Sequence, residues 1–256
     1  MQKQKATTVR AVDRAIDILE AFSDERPALT LTELARKVRL NRPTLYRMLT
    51  TLAKRGLIRL ADDPPKYRLD YGAAKFAGVW SNSLELGQLA APFLEGLLAQ
   101  FDETVALYLR RDNARICAVE LPSRQPLSFA RGLGHAESLR RGASGFAILA
   151  FLPRAESESV LGEEKDAAKL RALRRTIGQV RERGYALSGG DLIVGAQAIA
   201  APVLDRAGHA VAALGLFGPA ARFTPQRVAE CAEAVRRAAA SLSRALGYSG
   251  ADRGSA

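Results

Sequence analysis

Few residues in this chain are placed to do chemistry. Gly142-Ala143-Ser144-Gly145 comes near a nucleophile elbow, in which a serine on a sharp strand-to-helix turn attacks a carbonyl. Phe146 stands where the closing glycine belongs. Gly132-Leu133-Gly134 lacks the third glycine of a dinucleotide-binding turn and does not lead from a strand into a helix. His135 and His209 fall in loop or turn contexts, where a histidine is more often a surface residue than a base. Cys117, in a strand pattern, and Cys231, in a helical one, read as small apolar core residues. Two cysteines and two histidines cannot supply a four-ligand zinc site or a disulfide framework. No catalytic residue, metal ligand or cofactor is therefore assigned, and a small-molecule-processing enzyme stays only as an alternative.

Charge is the stronger signal. Across 256 residues, 38 Lys and Arg face 27 Asp and Glu, a net charge of +11. Up to residue 80 there are 16 basic and 9 acidic residues; the longer remainder has 22 and 18. No acid occurs between Glu33 and Asp62, while Arg36, Lys37, Arg39, Arg42, Arg47, Lys54, Arg55 and Arg59 all do. Such a run attracts a polyanion, because neutralised phosphates release condensed counterions. A solvated face is the bland alternative. The apolar content of 48% excludes a disordered tail protein. No apolar run is long enough to span a membrane, and no apolar segment follows the basic first dozen residues. The expectation is a cytoplasmic protein with no membrane partner.

The basic run falls on a helical motif. Val12, Ile16, Leu19 and Phe22 give the stripe of an amphipathic helix, and the stretch from Asp24 to Ala28 reads as a loop. Thr30 and Glu33 form a capping box before a short helix, Leu31 to Val38. Arg39-Leu40 makes a tight turn. Asn41 caps a second helix with Pro43 in its first turn, which runs to Arg55 and stops at Gly56. Two helices so joined are a helix-turn-helix. Leu45, Met48, Leu49 and Leu52 share the inner face of the second helix; Pro43, Arg47, Thr50, Thr51 and Lys54 share the outer one. Its N-terminal end would enter the major groove, with Arg47 reaching guanine edges and Thr44 offering a methyl or hydroxyl. Asn41 lies at the same end. Arg42 and Tyr46 suit phosphates, which position without reading sequence. Two short strands around Asp62-Asp63-Pro64-Pro65 form a wing, on which Lys66 and Arg68 could grip a phosphate or minor groove. A basic three-helix structural bundle is the alternative here.

Residues 71–100 read as a linker helix, with Pro92 as a break and Trp80 as an interface or core anchor. From Thr104 the period changes to two: Val105 to Leu109 and Ile116 to Leu121 form one hairpin, Ala196 to Leu204 and His209 to Phe217 another. Between them lie an apolar helix after Gly142 and a charged one over Asp166–Arg183; Thr224 and Pro225 start a last helix to about Leu246. The fold class is thus α+β in two domains: a winged helix-turn-helix over 8–70, the linker helix over 71–100, and an antiparallel sheet flanked by helices over 101–246. A disordered tail, 247–256, follows. Gly142 and Ala143 open the helix Ser144–Phe151, and the N–H groups of such a terminus attract an anion such as a carboxylate. The same small residues also fit a helix start chosen for close packing.

In this order of parts the chain resembles the IclR family of bacterial transcriptional regulators. The resemblance rests on VRAVDRAIDILEAF, LTLTELARKVRLNRPTLYRMLTTLAKRGLI and KYRLDYG in the first half, and on GYALSGGDLIVGAQAIAAPVLD in the second. It implies a homodimer, often a dimer of dimers, on double-stranded operator DNA, with RNA polymerase as a further candidate partner. It also implies a GAF-like C-terminal domain that binds a small organic or aromatic acid as effector, in control of a catabolic operon. Carried over residue by residue, Gly142, Ala143 and Ser144 would meet the effector's carboxylate; Ser188, Asp191 and Ala198 would line the other wall. Leu127 and Phe129 would add an apolar side. The sequence departs from the family at Asp191, where Glu is usual, at Leu204, where an aromatic or His is usual, and at Arg39, where Gly is frequent. Some relatives carry Asp at the Ser188 position and Cys at the Ala198 position, so this pocket should be less acidic and less polar. A nonspecific DNA-binding protein is the remaining alternative, and would show a steep salt dependence without a preferred site.

Overall fold

The computed structural model describes residues 9–23, 25–82 and 85–250. Thr8, Asp24, the Trp80 side chain and the tail over 251–256 lie outside the described residues. The chain divides into two compact units between Trp80 and Ser81.

The first unit carries α1 (Arg10–Glu20), β1 (Ala28–Leu29), α2 (Leu31–Val38), α3 (Arg42–Lys54), β2 (Ile58–Ala61) and β3 (Lys66–Leu69), followed by α4 (Tyr71–Asn82). Local chemistry sets the boundaries. The Glu33 amide donates to Thr30 Oγ1 (3.3 Å) and the Thr30 amide to Glu33 Oε2 (2.8 Å), the reciprocal pair that starts α2. Arg39 closes that helix in the left-handed region, at φ 53°, a mildly strained conformation for a residue with a Cβ. Asn41 accepts from the Thr44 amide at 3.0 Å, with Pro43 in the first turn, so α3 starts where its sequence says it should. Ile18, Leu29, Leu34, Leu45, Leu49 and Ile58 are all 1% exposed or less and form the core. Two expectations change. The α1 stripe is split: Val12 and Ile16 are exposed, and Ile18, with Ala15 and Leu19, faces the core, because the helix has two apolar sides and α2 and α3 cover only one. The loop after α1 ends in β1, which pairs with β3 to give a three-stranded antiparallel sheet in the order β1-β3-β2.

The second unit carries α5 (Glu85–Phe101), β4 (Thr104–Arg111), β5 (Ala114–Leu121), β6 (Ala136–Ser138), α6 (Gly142–Ala150), α7 (Arg154–Leu161) and α8 (Ala167–Arg183). There follow β7 (Ala186–Gly189), β8 (Ala196–Leu204), β9 (Ala210–Pro219) and α9 (Pro225–Ala245). The six strands form one antiparallel sheet, β6-β5-β4-β9-β8-β7. Both expected hairpins are present, and β4 pairs with β9 to join them. Helices α6 and α8 pack over β7 and β8, while α5 and α9 pack on β4, β8 and β9. Pro92 lies inside α5 rather than breaking it; the buried side chains of Ala90, Leu94, Leu97 and Phe101 hold the helix to the sheet on either side of the missing N–H. Glu103, 1% exposed, ties the sheet to the start of α9. It accepts two bonds from the Arg222 guanidinium, one at 2.6 Å, and lies 3.8 Å from Arg227. Gly218 makes room for it: a Cβ there would sit 2.1 Å from Glu103 Oε2.

Candidate nucleic-acid interface and ligand cavity

The outer face of α3 is open to solvent. Asn41, Arg42, Pro43, Tyr46, Arg47 and Lys54 are exposed, and Thr44 is half-buried. Arg36, Lys37, Arg39, Arg55 and Arg59 are exposed as well. Among the described residues, the one ion pair of this unit joins Arg68 to Asp62 at 2.9 Å. The positive charge of α2, α3 and β2 is therefore not neutralised locally. Details refine the individual roles. Asn41 spends its side-chain oxygen on capping, and Arg42 donates to Thr32 Oγ1 at 3.1 Å, which holds it beside α2. The hydroxyls of Thr50 and Thr51 donate back to the carbonyls of Tyr46 and Arg47. Arg47 extends freely from the N-terminal half of the helix. Lys54 sits about 18 Å farther along the axis than Arg42, at 1.5 Å per residue, away from the reading end. On the wing, Asp62 holds Arg68 through two bonds of 2.9 and 3.0 Å, and Lys66 is half-buried. Arg14 of α1 borders the same surface depression as Thr44, Tyr46 and Arg47, a neighbour that the sequence pattern did not single out.

In the second unit a cavity of about 50 Å³ lies between the start of α6 and strands β5, β7, β8 and β9. By a comparable measure roughly 10–15 Å³ holds one water, so the space suits a few waters or a small molecule. Gly142, Ala143, Ser144, Ser188, Asp191 and Ala198 all line it. Ser188 and Ala198 are register partners across β7 and β8, and Ala198 is paired with Phe217 across β8 and β9. Leu127 and Phe129 do not line it. Leu127 is 60% exposed, with its carbonyl held by Arg222. Phe129 packs on Tyr108, Cys117 and Phe217, of which Tyr108 and Phe217 line the cavity. The loop after β7 crosses the mouth. Arg141 donates to the Asp191 carbonyl at 2.7 Å, and a Cβ on Gly142 would lie 2.7 Å from Leu192 Cδ1. With φ at +70°, Gly142 is needed both for its backbone and for this approach.

The sequence reading missed the ionisable members of the wall: Arg115, Arg131, His135 and Glu137. Arg115 is 2% exposed; its Nε donates to Ser144 Oγ at 2.6 Å and its Nη1 to the Ser138 carbonyl at 2.5 Å. Burial lowers its pKa to about 10. Glu137 lies 3.6 Å from Arg131, which also touches His135. A signal existed in the sequence: Arg115 shares strand parity with Cys117, the buried face of β5. Burial pushes the Cys117 thiol up to about 12 and that of Cys231 to about 11, so neither is a nucleophile near neutrality. Among the described residues no group of His, Cys, Asp and Glu could hold a metal ion, and no helix is long and apolar enough to cross a membrane.

A winged helix-turn-helix with an open basic face, joined in one chain to an α+β domain around a cavity, defines a DNA-binding transcriptional regulator. Residues 11–61 match the IclR helix-turn-helix domain, and residues 80–244 match the bacterial transcriptional regulator IclR C-terminal domain. The chain belongs to the IclR family. It is 28% identical to the HTH-type transcriptional regulator KipR of Bacillus subtilis, over 97% of this chain and 100% of that protein. It is 25% identical to the transcriptional repressor IclR of Escherichia coli, over 93% and 90%. In fold it matches an IclR transcriptional regulator from Alicyclobacillus acidocaldarius with a TM-score of 0.79, at 24% identity over 94% and 100%. It also matches an IclR homolog from Microbacterium hydrocarbonoxydans, solved with 4-hydroxybenzoate, with a TM-score of 0.74, at 23% identity over 93% and 99%. The enzyme alternative falls with these relatives: the chain is a regulator.

Proposed function

We propose that the chain is a ligand-controlled regulator of a catabolic operon, acting in the cytoplasm as a homodimer or dimer of dimers. Arg47 and Thr44 read base edges; Asn41, Arg42, Pro43 and Tyr46 set the docking of α3; Lys54, Lys66 and Arg68 contact the flanking backbone. A small organic or aromatic acid is the effector, held by Gly142, Ala143, Ser144, Ser188, Asp191 and Ala198. The observation that carries this reading is the cavity at the start of α6, which is lined by Gly142, Ala143, Ser144, Ser188, Asp191 and Ala198, six of the eight residues that the family resemblance points to. A homolog solved with 4-hydroxybenzoate supports an acid as ligand. Leu127 and Phe129 are assigned to the support of the wall rather than to contact. The effector acts by its differential affinity for two arrangements of the protein, one of which holds the recognition helices at operator spacing.

The test is operator binding, read by fluorescence anisotropy, with and without a panel of small carboxylic acids. One acid should change operator affinity, and Ser188→Leu, which fills the cavity, should abolish that response. A panel in which no acid changes operator affinity would count against effector control. Equal affinity for operator and random DNA, with a steep salt slope, would favour a nonspecific binder instead.

A further inference from the structure

The charges inside the cavity carry a sharper assignment, which rests on the reading of that cavity as an effector site. Arg115 is almost fully buried, yet among the described residues no carboxylate lies within 4.0 Å of its guanidinium. Its near contacts are neutral: the Ser144 hydroxyl, the Ser138 carbonyl and the ring of Tyr108, whose centroid is 5.7 Å away. Glu137, its register partner across β5 and β6, is shared by Arg131 at 3.6 Å and Arg141 at 3.9 Å. Asp191 is exposed, on the loop at the mouth.

The guanidinium lies across the beginning of α6. A Cβ on Gly142 would come within 3.1 Å of Nη2, and one on Gly145 within 2.8 Å of Nη1. No side chain caps α6, so its first N–H groups and the positive end of its dipole face the same space. Two positive features thus converge at a largely buried site, an arrangement that costs free energy until an anion joins it. Burial is also what lowers the pKa of Arg115; Tyr108 and Glu137 oppose that shift, and Arg131 and Arg141 add smaller contributions to it. Nε and Nη1 are committed to Ser144 and Ser138, which leaves Nη2 as the donor for a ligand. Ala143, Ala198, Leu192 and Phe217 offer apolar wall for the rest of such a molecule.

We propose that Arg115, through Nη2 and together with the first amides of α6, anchors the carboxylate of a small monoanionic ligand and sets the preference for acids over their neutral analogues. Calorimetric titration of the full chain with pyruvate, benzoate and 4-hydroxybenzoate, each beside its primary amide, tests this. At least one acid should bind, with its amide weaker by about tenfold or more, as a charge-assisted contact requires. Arg115→Gln should remove that discrimination by weakening the acid alone, and Arg115→Lys should restore part of it. A melting curve of each ligand-free variant reports folding; if Arg115→Gln fails to fold, the change in acid-to-amide ratio in Arg115→Lys decides. Undiminished acid binding by Arg115→Gln would overturn the assignment, as would equal binding of acid and amide by the wild type. Should amides bind alone, and Ser188→Leu block them, the effector cavity stands and the Arg115 anchor falls. If no member of the panel binds, both fall.

Discussion

Most arginines of the first unit stand in water, whereas several of the second have been drawn inside. Arg36, Arg39, Arg42, Arg47, Arg55 and Arg59 are exposed, and the single ion pair described in that unit lies off α3, on the wing. In the second unit Arg115 is buried, and Arg222 is locked to a glutamate that is 1% exposed. The same side chain therefore does two kinds of work. Exposed charge acts over a distance of about 8 Å at physiological salt and accepts any phosphate in reach. Enclosed charge acts at contact and is costly unless matched, so it selects its partner by chemistry and shape. Affinity for a long polyanion calls for the first arrangement, and discrimination among small anions for the second.

The comparison breaks most visibly if the units do not fold independently. Leu49, 1% exposed at the centre of the first core, is the place to test that. Leu49→Ala should destabilise the first unit by about 2–5 kcal/mol and abolish DNA binding, with acid binding by the second unit retained. Urea unfolding followed by both binding assays reads this; loss of both activities together would show one cooperative unit. In the second unit, Glu103→Gln leaves Arg222 and Arg227 without a counter-charge. Its cost should be about 2–3 kcal/mol, at or below the low end for a broken buried pair, because both guanidinium groups keep partial contact with water. A Tm unchanged from wild type would mean that the pair only breaks even.

Finer tests separate the kinds of exposed charge. Arg47→Ala should weaken operator binding by about 1–3 kcal/mol and relax sequence preference. Arg42→Ala should weaken operator and random DNA alike and reduce the salt slope by about 1. Titrations at several salt concentrations on both DNAs distinguish them; identical behaviour would reduce Arg47 to a phosphate contact.

Much of the first unit was legible because its signals are local. Asn41, Pro43 and Gly56 delimit α3 within the helix's own sequence, and the Thr30–Glu33 pair announces α2. The hairpins of the second unit were equally plain, since each turn lies between its own strands. What stayed hidden depends on distant partners. β1 and β6 are two and three residues long and exist only through β3 and β5. The buried side of α1 is decided by what covers it. The cavity's small residues were found through the family motif, but its charged wall was not: Arg115 looks like a surface residue until β6 and α6 close over it. Leu127 and Phe129 show the converse, apolar residues whose place is set by Arg222 and by a cluster beside the cavity rather than by the cavity itself.

The smallest effect concerns how the first unit is held without buried charge. Thr30 Oγ1 accepts from the Glu33 amide at 3.3 Å and donates to the Glu33 carboxylate at 2.8 Å. The backbone bond from the Thr30 amide, then the bond from its hydroxyl, lower the Glu33 pKa below its ordinary 4.5. A carboxylate whose folded pKa is depressed stabilises the fold above the unfolded pKa and loses that contribution as pH falls through the folded value. Thr30→Ala should therefore cost about 1 kcal/mol near neutrality, the usual worth of an N-cap. The gap between variant and wild type should narrow below pH 4.5, where Glu33 takes up its proton and only the cap bond to its amide remains to be lost. A gap independent of pH in urea unfolding would assign the whole effect to the cap. A gap that narrows would show that α2, the helix against which α3 rests, draws charge stabilisation from two residues of its own sequence, Thr30 and Glu33, unlike the Glu103–Arg222 pair of the second unit, which bridges distant segments of the chain.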